Sequence, residues 1–452
     1  MQPDVSTYRR YRALLFAILG ACYLVVFFHR NAVGVVAVDM MDDLSVGAGI
    51  MGLLSAGYFY PYAFMQLPTG LLSDTWGARK TIASFMVIAA AGSLLFGASS
   101  SSGGVLVGRI LVGIGVSTIY VCTLKLIAEW YHGNEFATMN SLLVSVGGIG
   151  LMVSTVPLAW LSTLYGWRTP FVATAAVTIA LIAIVWLYIK DSPDEHLNGK
   201  HAEKKVVFTW EAMMGPIRTV LGRKQFWPAN IWLMCSFSLY IAFGGLWGGP
   251  YLMHVYGMSK IAASKILLMI AIAMIVGSPL IGIFSDKVVK CRKRVMMSTS
   301  VGLIVTLALF AAFVDTLPLW GRYVLMLLFG LFAVGAMPVG YASIKDLFPK
   351  KMAGTATGLG NFFPFIMGAV LQPLLGYILE ANGKVGDAYT SSGYQYAILV
   401  LLGCSVVAFV CSLFVTETSP HCTQEPCQAR TEAEVPSKAP GAPSIITLEK
   451  EE

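Results

Sequence analysis

Twelve apolar runs fill the chain from residue 13 to residue 416, separated by short polar breaks. A helix that crosses a bilayer needs roughly 17–25 mostly apolar residues. The runs fall at 13–38, 48–72, 81–98, 104–128, 137–164, 170–190, 226–254, 261–284, 295–314, 320–344, 353–379 and 394–416, and each is long enough. A polar N-terminal segment, 1–12, leads into the first run without a small-residue cleavage site, so no removable leader is read there. Between the sixth and seventh runs lies a polar linker, 191–225, with "DSPDEHLNGKHAEKK" at its heart. The pattern predicts an all-α membrane protein of twelve transmembrane helices, six in each half, 13–190 and 226–416. Residues 417–452 carry Pro, Glu, Thr and Ser without an apolar period, the composition of a disordered tail.

Composition agrees with that picture. The chain of 452 residues is 56% hydrophobic and 12% charged, whereas soluble domains carry about 25% charged residues. The net charge of +7 sits in loops rather than in a basic domain. With the N-terminus inside, twenty Lys and Arg fall on inner segments and four (Arg168, Lys260, Lys265, Lys384) on outer ones. The positive-inside rule then puts both termini in the cytoplasm, and a bacterial inner membrane is the expected location. Lipid headgroups, not nucleic acid, are the partners this charge implies. Five of the eight cysteines, Cys22, Cys122, Cys235, Cys404 and Cys411, lie in apolar runs as small hydrophobes. "HCTQEPC" in the tail is a weak metal pattern, read as solvated and reduced, so neither metal nor cofactor is implied. No intramembrane metal cluster, nucleophile–base constellation or Walker sequence is present, which argues against membrane-enzyme chemistry and an ATP-driven cycle.

The two halves repeat each other. "GLLSDTWGARK" (70–80) ends the second run and "GIFSDKVVKCRKR" (282–294) ends the eighth. "GRILVGIG" (108–115) opens the fourth and "GRYVLMLLFG" (321–330) the tenth, so two unrelated features recur at offsets of 212 and 213 residues. Duplicated halves are a hallmark of secondary transporters.

On these residues the chain resembles the major facilitator superfamily over about residues 10–416. Gly70, Asp74, Gly77, Arg79 and Lys80 are similar to its loop motif between spans two and three, and Gly282 with Asp286 is a degraded second copy. The resemblance implies a conformational latch at Gly70, Asp74, Gly77, Arg79, Lys80 and Asp286. Gly70 would allow close helix approach, Asp74 would meet a helix N-terminus or Arg79, and Gly77 would turn the loop. Arg109-x-x-x-Gly113-x-Gly115 resembles the fourth-span motif, where glycines thin the helix and the arginine needs acceptors. Its role is either helix-to-helix bonding or coupling.

"FFHRNAVGVVAVDM" looks like the first span of the anion:cation symporter and organophosphate-transporter branches. There a first-span arginine engages an anionic substrate, and Arg30 fits that position. It lies some 26 Å along the helix from Ala13 at about 1.5 Å per residue, so snorkelling would have several apolar turns to cross. Substrate contact, a buried ion pair and an outer-interface position are the three readings of Arg30. Lys125, before Trp130, is either a second clamp on the substrate or a snorkelling lysine. Where relatives have an aspartate the chain has His29, and where they have a coupling glutamate it has Val116. His29, with an intrinsic pKa near 6.5, is the candidate proton relay, against a packing role. Tyr58, Tyr62, Tyr240, Trp247, Tyr251, Asn361 and Gln372 are further candidates for substrate contact, each weighed against simple packing. The resulting expectation is a monomeric secondary transporter moving a small organic anion (a carboxylate, sugar acid or phosphate ester) by alternating access with proton coupling. Alternatives are an exporter or antiporter of a drug or metabolite, and a non-transporting sensor.

Overall fold

The computed structural model describes residues 5–131, 135–193, 210–349 and 352–418. Each predicted span is helical. The first is Val5–Leu44 and the second Ala48–Trp76, which holds Pro61 and Pro68. The others are Ala78–Ala98, Ser102–Trp130, Thr138–Tyr165, Thr169–Tyr188, Phe226–Tyr256, Lys260–Val289, Arg292–Ala312, Leu319–Asp346, Ala353–Ala381 and Ser391–Leu413. Eleven spans pass a length-and-hydropathy criterion for crossing a membrane. The second, 29 residues long, completes the twelve.

Local chemistry interrupts several spans. The fourth breaks between Val116 and Ile119, and the fifth between Val153 and Val156. At these points Ser117 Oγ donates to the Ile114 carbonyl (2.6 Å), and Ser154 Oγ to that of Leu151 (2.8 Å). Such hydroxyls compete with the helix for its own acceptors. In the second half, π-helical turns at Tyr240–Trp247, Ala273–Gly277, Phe284–Val289 and Leu331–Gly335 insert extra residues into three spans. π-turns of this kind re-aim side chains and frequently mark functional sites. The linker contains a helix, Trp210–Gly222, that composition did not announce. Beyond Thr418 the expected tail lies outside the described residues.

For orientation, the basic face is the one carrying the N-terminal residues and the linker; the opposite is the far face. On the far face the halves are joined. Lys260 pairs with Asp39 across them and also donates to Ser162 Oγ at 3.2 Å. The N-terminus of the second span donates from Gly49 N to Glu380 Oε1 (3.0 Å) and from Ala48 N to the Tyr389 hydroxyl (2.9 Å). A Cβ on Gly34, Gly52 or Gly376 would overlap the backbone of the other half, at Gly245, Pro373 and Ala48 respectively. The glycines near the basic face are less crowded. A Cβ on Gly70, Gly282, Gly354 or Gly358 would meet nothing within 4 Å. A close approach at Gly70 is not seen among the described residues, although Leu67, one turn before it, packs against the core of the second half.

Candidate functional site

Tyr23, Phe27 and Arg30 share one face of the first span, spaced four and three residues apart, and that face looks into the interior between the halves. Arg30 is only 6% exposed. Its guanidinium lies over three rings: Phe27 at 4.7 Å, Tyr62 at 5.1 Å and Phe365 at 4.9 Å from their centroids. The hydroxyls of Tyr62, Tyr58, Tyr23 and Tyr240 lie within electrostatic range. Arg30 Nε has no hydrogen-bond partner, and no carboxylate pairs with Arg30 among the described residues. Indeed no Asp or Glu is buried among them, while His29, Arg30 and Arg109 are. Of the three readings of Arg30, the ion pair therefore lacks its acid. Its depth does not fit an outer-interface position. What the site offers is a planar five-donor fork in a tyrosine cage, a geometry that suits a carboxylate or phosphate.

The seventh span closes the cage. The π-turn from Tyr240 sets that hydroxyl 2.6 Å from Asn31 Oδ1, to which it donates, and Asn31 Nδ2 donates to the Phe27 carbonyl at 2.9 Å. Tyr58 and Tyr62 stack with centroids 5.6 Å apart, and Tyr62 leans on Phe365 at 4.7 Å. Asn361, one turn from Phe365, accepts from the Tyr341 hydroxyl at 2.6 Å. Arg30, Tyr58, Tyr62, Tyr240 and Asn361 are thus gathered in one region.

The remaining candidates lie elsewhere. Lys125 donates to Asp74 Oδ1 (2.7 Å) and to the Ser73 carbonyl (2.6 Å), at the basic-face end of the fourth span. Its ammonium is committed to the loop motif and is not a second clamp beside Arg30. Trp247 Nε1 donates to the Gln372 carbonyl at 2.8 Å, and Gln372 Nε2 to the Ile241 carbonyl at 2.9 Å. Tyr251 donates to the Val314 carbonyl at 2.7 Å. Trp247 and Tyr251 lie two or more turns beyond Tyr240 toward the far face, whereas the Gln372 amide reaches the residue beside Tyr240.

His29 faces away from the cavity. Its ring is 1% exposed, is stacked against Phe171, and leaves both nitrogens buried without a partner. Adjacent helical positions diverge by about 100°, so Arg30 and His29 serve different surfaces. The proton-relay reading loses its geometry here. Arg109 fills the space beside His29. It donates to the carbonyls of His29 (2.8 Å) and Ser55 (3.4 Å), with Tyr58 under its guanidinium at 4.9 Å. Arg109 ties the first, second and fourth spans together.

The loop motif holds a different set of contacts from those anticipated. Asp74 meets Lys125 instead of Arg79. Arg79 donates from NH2 to the Trp186 carbonyl at 2.7 Å and from its backbone N to Asp191 Oδ1 at 2.7 Å. Gly77 has φ +87°, and a Cβ there would strike the Asp191 carboxylate. Lys80 is exposed, and the side chain of Asp286 lies outside the described residues.

Sequence reasoning passed over Tyr23, Asn31, Tyr341 and Phe365. The heptad spacing of Tyr23 and Arg30 was a usable signal for the first.

The family profile described as Major Facilitator Superfamily matches residues 19–372 and 250–431. Among curated relatives, the chain is 25% identical to a "Hexuronate transporter" of Bacillus subtilis strain 168, covering 88% of this chain and 94% of the relative. It is 24% identical to the "Probable galactarate/D-glucarate transporter GudP" of the same organism, covering 85% and 87%. It is 22% identical to a "Probable hexose phosphate transport protein" of Chlamydia muridarum, covering 89% and 90%. Among solved structures, a bacterial homolog of the human lysosomal transporter Spinster, inward-facing and occupied, superposes with a TM-score of 0.67 at 19% identity, covering 90% of this chain and 96% of that one. A D-xylose-proton symporter gives 0.69 at 14%, covering 91% and 98%.

Proposed function

The chain belongs to the major facilitator superfamily of membrane transporters, and we propose that it is a secondary transporter moving a small organic anion by alternating access. The observation that carries this reading is Arg30, a cation caged by tyrosines with no acid beside it. A centrally buried arginine costs about 2.5–3.5 kcal/mol on insertion scales. A carboxylate or phosphate from solution supplies the counter-charge that the protein withholds. Relatives named for hexuronate, galactarate/D-glucarate and hexose phosphate transport support an anionic substrate of that kind.

In the proposed cycle, substrate meets Arg30 from the basic face when the halves part there. Closure there and release of the far-face contacts then expose it to the other side. The distribution of loop Lys and Arg supports a cytoplasmic basic face, with both termini cytoplasmic in a bacterial inner membrane. Arg79, Gly77, Asp74 and Lys125 form the latch that reorganises as the halves move. A proton remains the proposed coupling ion, but His29, sealed between Phe171 and Arg109, is not proposed as its carrier.

Purified protein in proteoliposomes tests the reading. Radiolabelled D-glucuronate should enter ATP-free vesicles along its own gradient, and excess unlabelled sugar acid should compete with it. A requirement for ATP hydrolysis would exclude secondary transport, and binding without any flux would favour a sensor.

A further inference from the structure

His254 stands within a turn of the far-face end of the seventh span and backs a hairpin that helps to close that face. The hairpin, Lys384–Val385 paired with Ala388–Tyr389, lies between spans eleven and twelve. Its Tyr389 hydroxyl accepts from Ala48 N of the first half at 2.9 Å. The half-buried His254 ring lies against the Tyr389 ring, with centroids 5.8 Å apart. Lys384, the register partner of Tyr389, holds Nζ 4.8 Å from the centroid of the same ring. One tyrosine therefore contacts an imidazole and an ammonium while its hydroxyl holds the start of the second span.

The closed arrangement suits a neutral imidazole. His254 Nδ1 lies 2.8 Å from the Tyr394 hydroxyl, which is its sole partner among the described residues, and Tyr394 is 1% exposed. A ring protonated on Nε2 alone leaves Nδ1 free to accept from that hydroxyl. A second proton, on Nδ1, reverses the bond and strands the buried O–H without an acceptor. It also adds a positive charge beside Lys384. Charged groups surround this end of the span: Asp39 and Asp42 on the first, Lys260 on the eighth, Arg322 on the tenth, Glu380 on the eleventh, and Lys384 and Asp387 on the hairpin. Of these, Lys384 is the one that acts on the imidazole. Asp39 is paired with Lys260, Glu380 accepts from Gly49 N, and Arg322 lies over Tyr256. Asp42 has Lys384 and Asp387 in electrostatic range. No acid among the described residues is placed to neutralise a protonated His254.

We infer that His254 is a pH-sensitive catch on the far face: neutral, it lets the hairpin hold the second span, and protonated, it repels Lys384 and drives the hairpin off. The catch goes beyond the anion-transport reading and needs no substrate. Once the face opens, the ring meets water, where an imidazole titrates near 6.5. The closed face keeps its full preference above that pH and loses it as the pH falls through it. Between pH 7.5 and 5.5 the ratio of open to closed far face should rise about tenfold, the factor set by protonating only the open form one unit below 6.5. With the far face outward, an acidic exterior would favour opening on that side.

Spin labels on Leu164 and Trp320, exposed on opposite halves and outside the hairpin, report the opening. Pulsed electron resonance of the full-length protein in detergent, without substrate, reads it as a long-distance population. In the wild type the ratio of long to short distances should rise about tenfold from pH 7.5 to pH 5.5. His254→Gln, whose amide oxygen can still accept from Tyr394, should change by less than about twofold over the same range. His254→Lys, a permanent cation, should be about as open at pH 7.5 as the wild type is at pH 5.5. Lys384→Gln, at an exposed position, should cut the wild-type response at least about twofold and serves if the His254 variants fail to fold. Identical wild-type distances at both pH values would overturn the inference. So would an equal response in His254→Gln or an undiminished one in Lys384→Gln. None of these results touches Arg30 or anion transport, because no substrate is present.

Discussion

Replacing Asp39 with Asn and Glu380 with Gln together removes both acidic ties between the halves on the far face. Asp39 and Lys260 are 30% and 13% exposed, and a partly exposed ion pair contributes about 0.2–1 kcal/mol. Glu380 accepts from Gly49 N at the start of the second span, where a carboxylate gains roughly 0.3–1 kcal/mol from the helix terminus. The two together stabilise the closed far face by about 0.5–2 kcal/mol. At 1.4 kcal/mol per decade, the equilibrium should move roughly 2–30-fold toward the state open on that side. Asn and Gln keep their shape and hydrogen-bonding capacity, so folding should survive. Spin labels on Leu164 and Val385, exposed on opposite halves, would report the change as a larger long-distance population in pulsed electron resonance. A distance distribution identical to wild type in the folded double variant would refute the view that these contacts hold the far face shut.

Three other outcomes follow from the site and the loop motif. His29→Gln should leave the pH dependence of uptake unchanged, since the ring is sealed from the cavity; a shifted pH profile would restore His29 as a proton carrier. Lys125→Met should lower kcat while KM stays within about threefold, because the half-exposed pair with Asp74 contributes under about 1 kcal/mol and touches no substrate. A KM increase of tenfold or more, with kcat retained, would return Lys125 to the substrate site. Gly77→Ala should destabilise the protein by about 1–2 kcal/mol, from its left-handed φ and the overlap with Asp191, read as a lower melting temperature; an unchanged one would contradict the strain.

Much of the fold was legible because hydropathy alone dictates it. Helices must satisfy every backbone group where water is absent, so each long apolar run became a spanning helix. The breaks at Ser117 and Ser154 and the π-turn at Tyr240 were not legible, since they depend on hydroxyl competition and packing between spans. Arg30 stood out because a lone cation deep in an apolar run needs a partner. Its tyrosine cage did not stand out, for tyrosines are common in such runs and only the packing of three spans selects these four. Lys125 misled for a related reason. Its distance along the helix was readable, but the carboxylate of Asp74 waiting at that depth was not. His29 shows the limit of reading neighbours in sequence: one position of helical rotation separates the cavity from a sealed aromatic wall.

The most direct measurement is the dissociation constant of D-glucuronate for wild type and for Arg30→Lys, by calorimetric titration alongside thermal unfolding without ligand. Lysine keeps the charge and loses the planar fork. One charge-assisted hydrogen bond fewer, worth about 1.5–3 kcal/mol, should weaken binding roughly 10–150-fold. Unliganded stability should be nearly unchanged, because Arg30 has no protein acid to lose. Equal dissociation constants, or a loss of stability without a loss of affinity, would make Arg30 part of the scaffold and contradict the account.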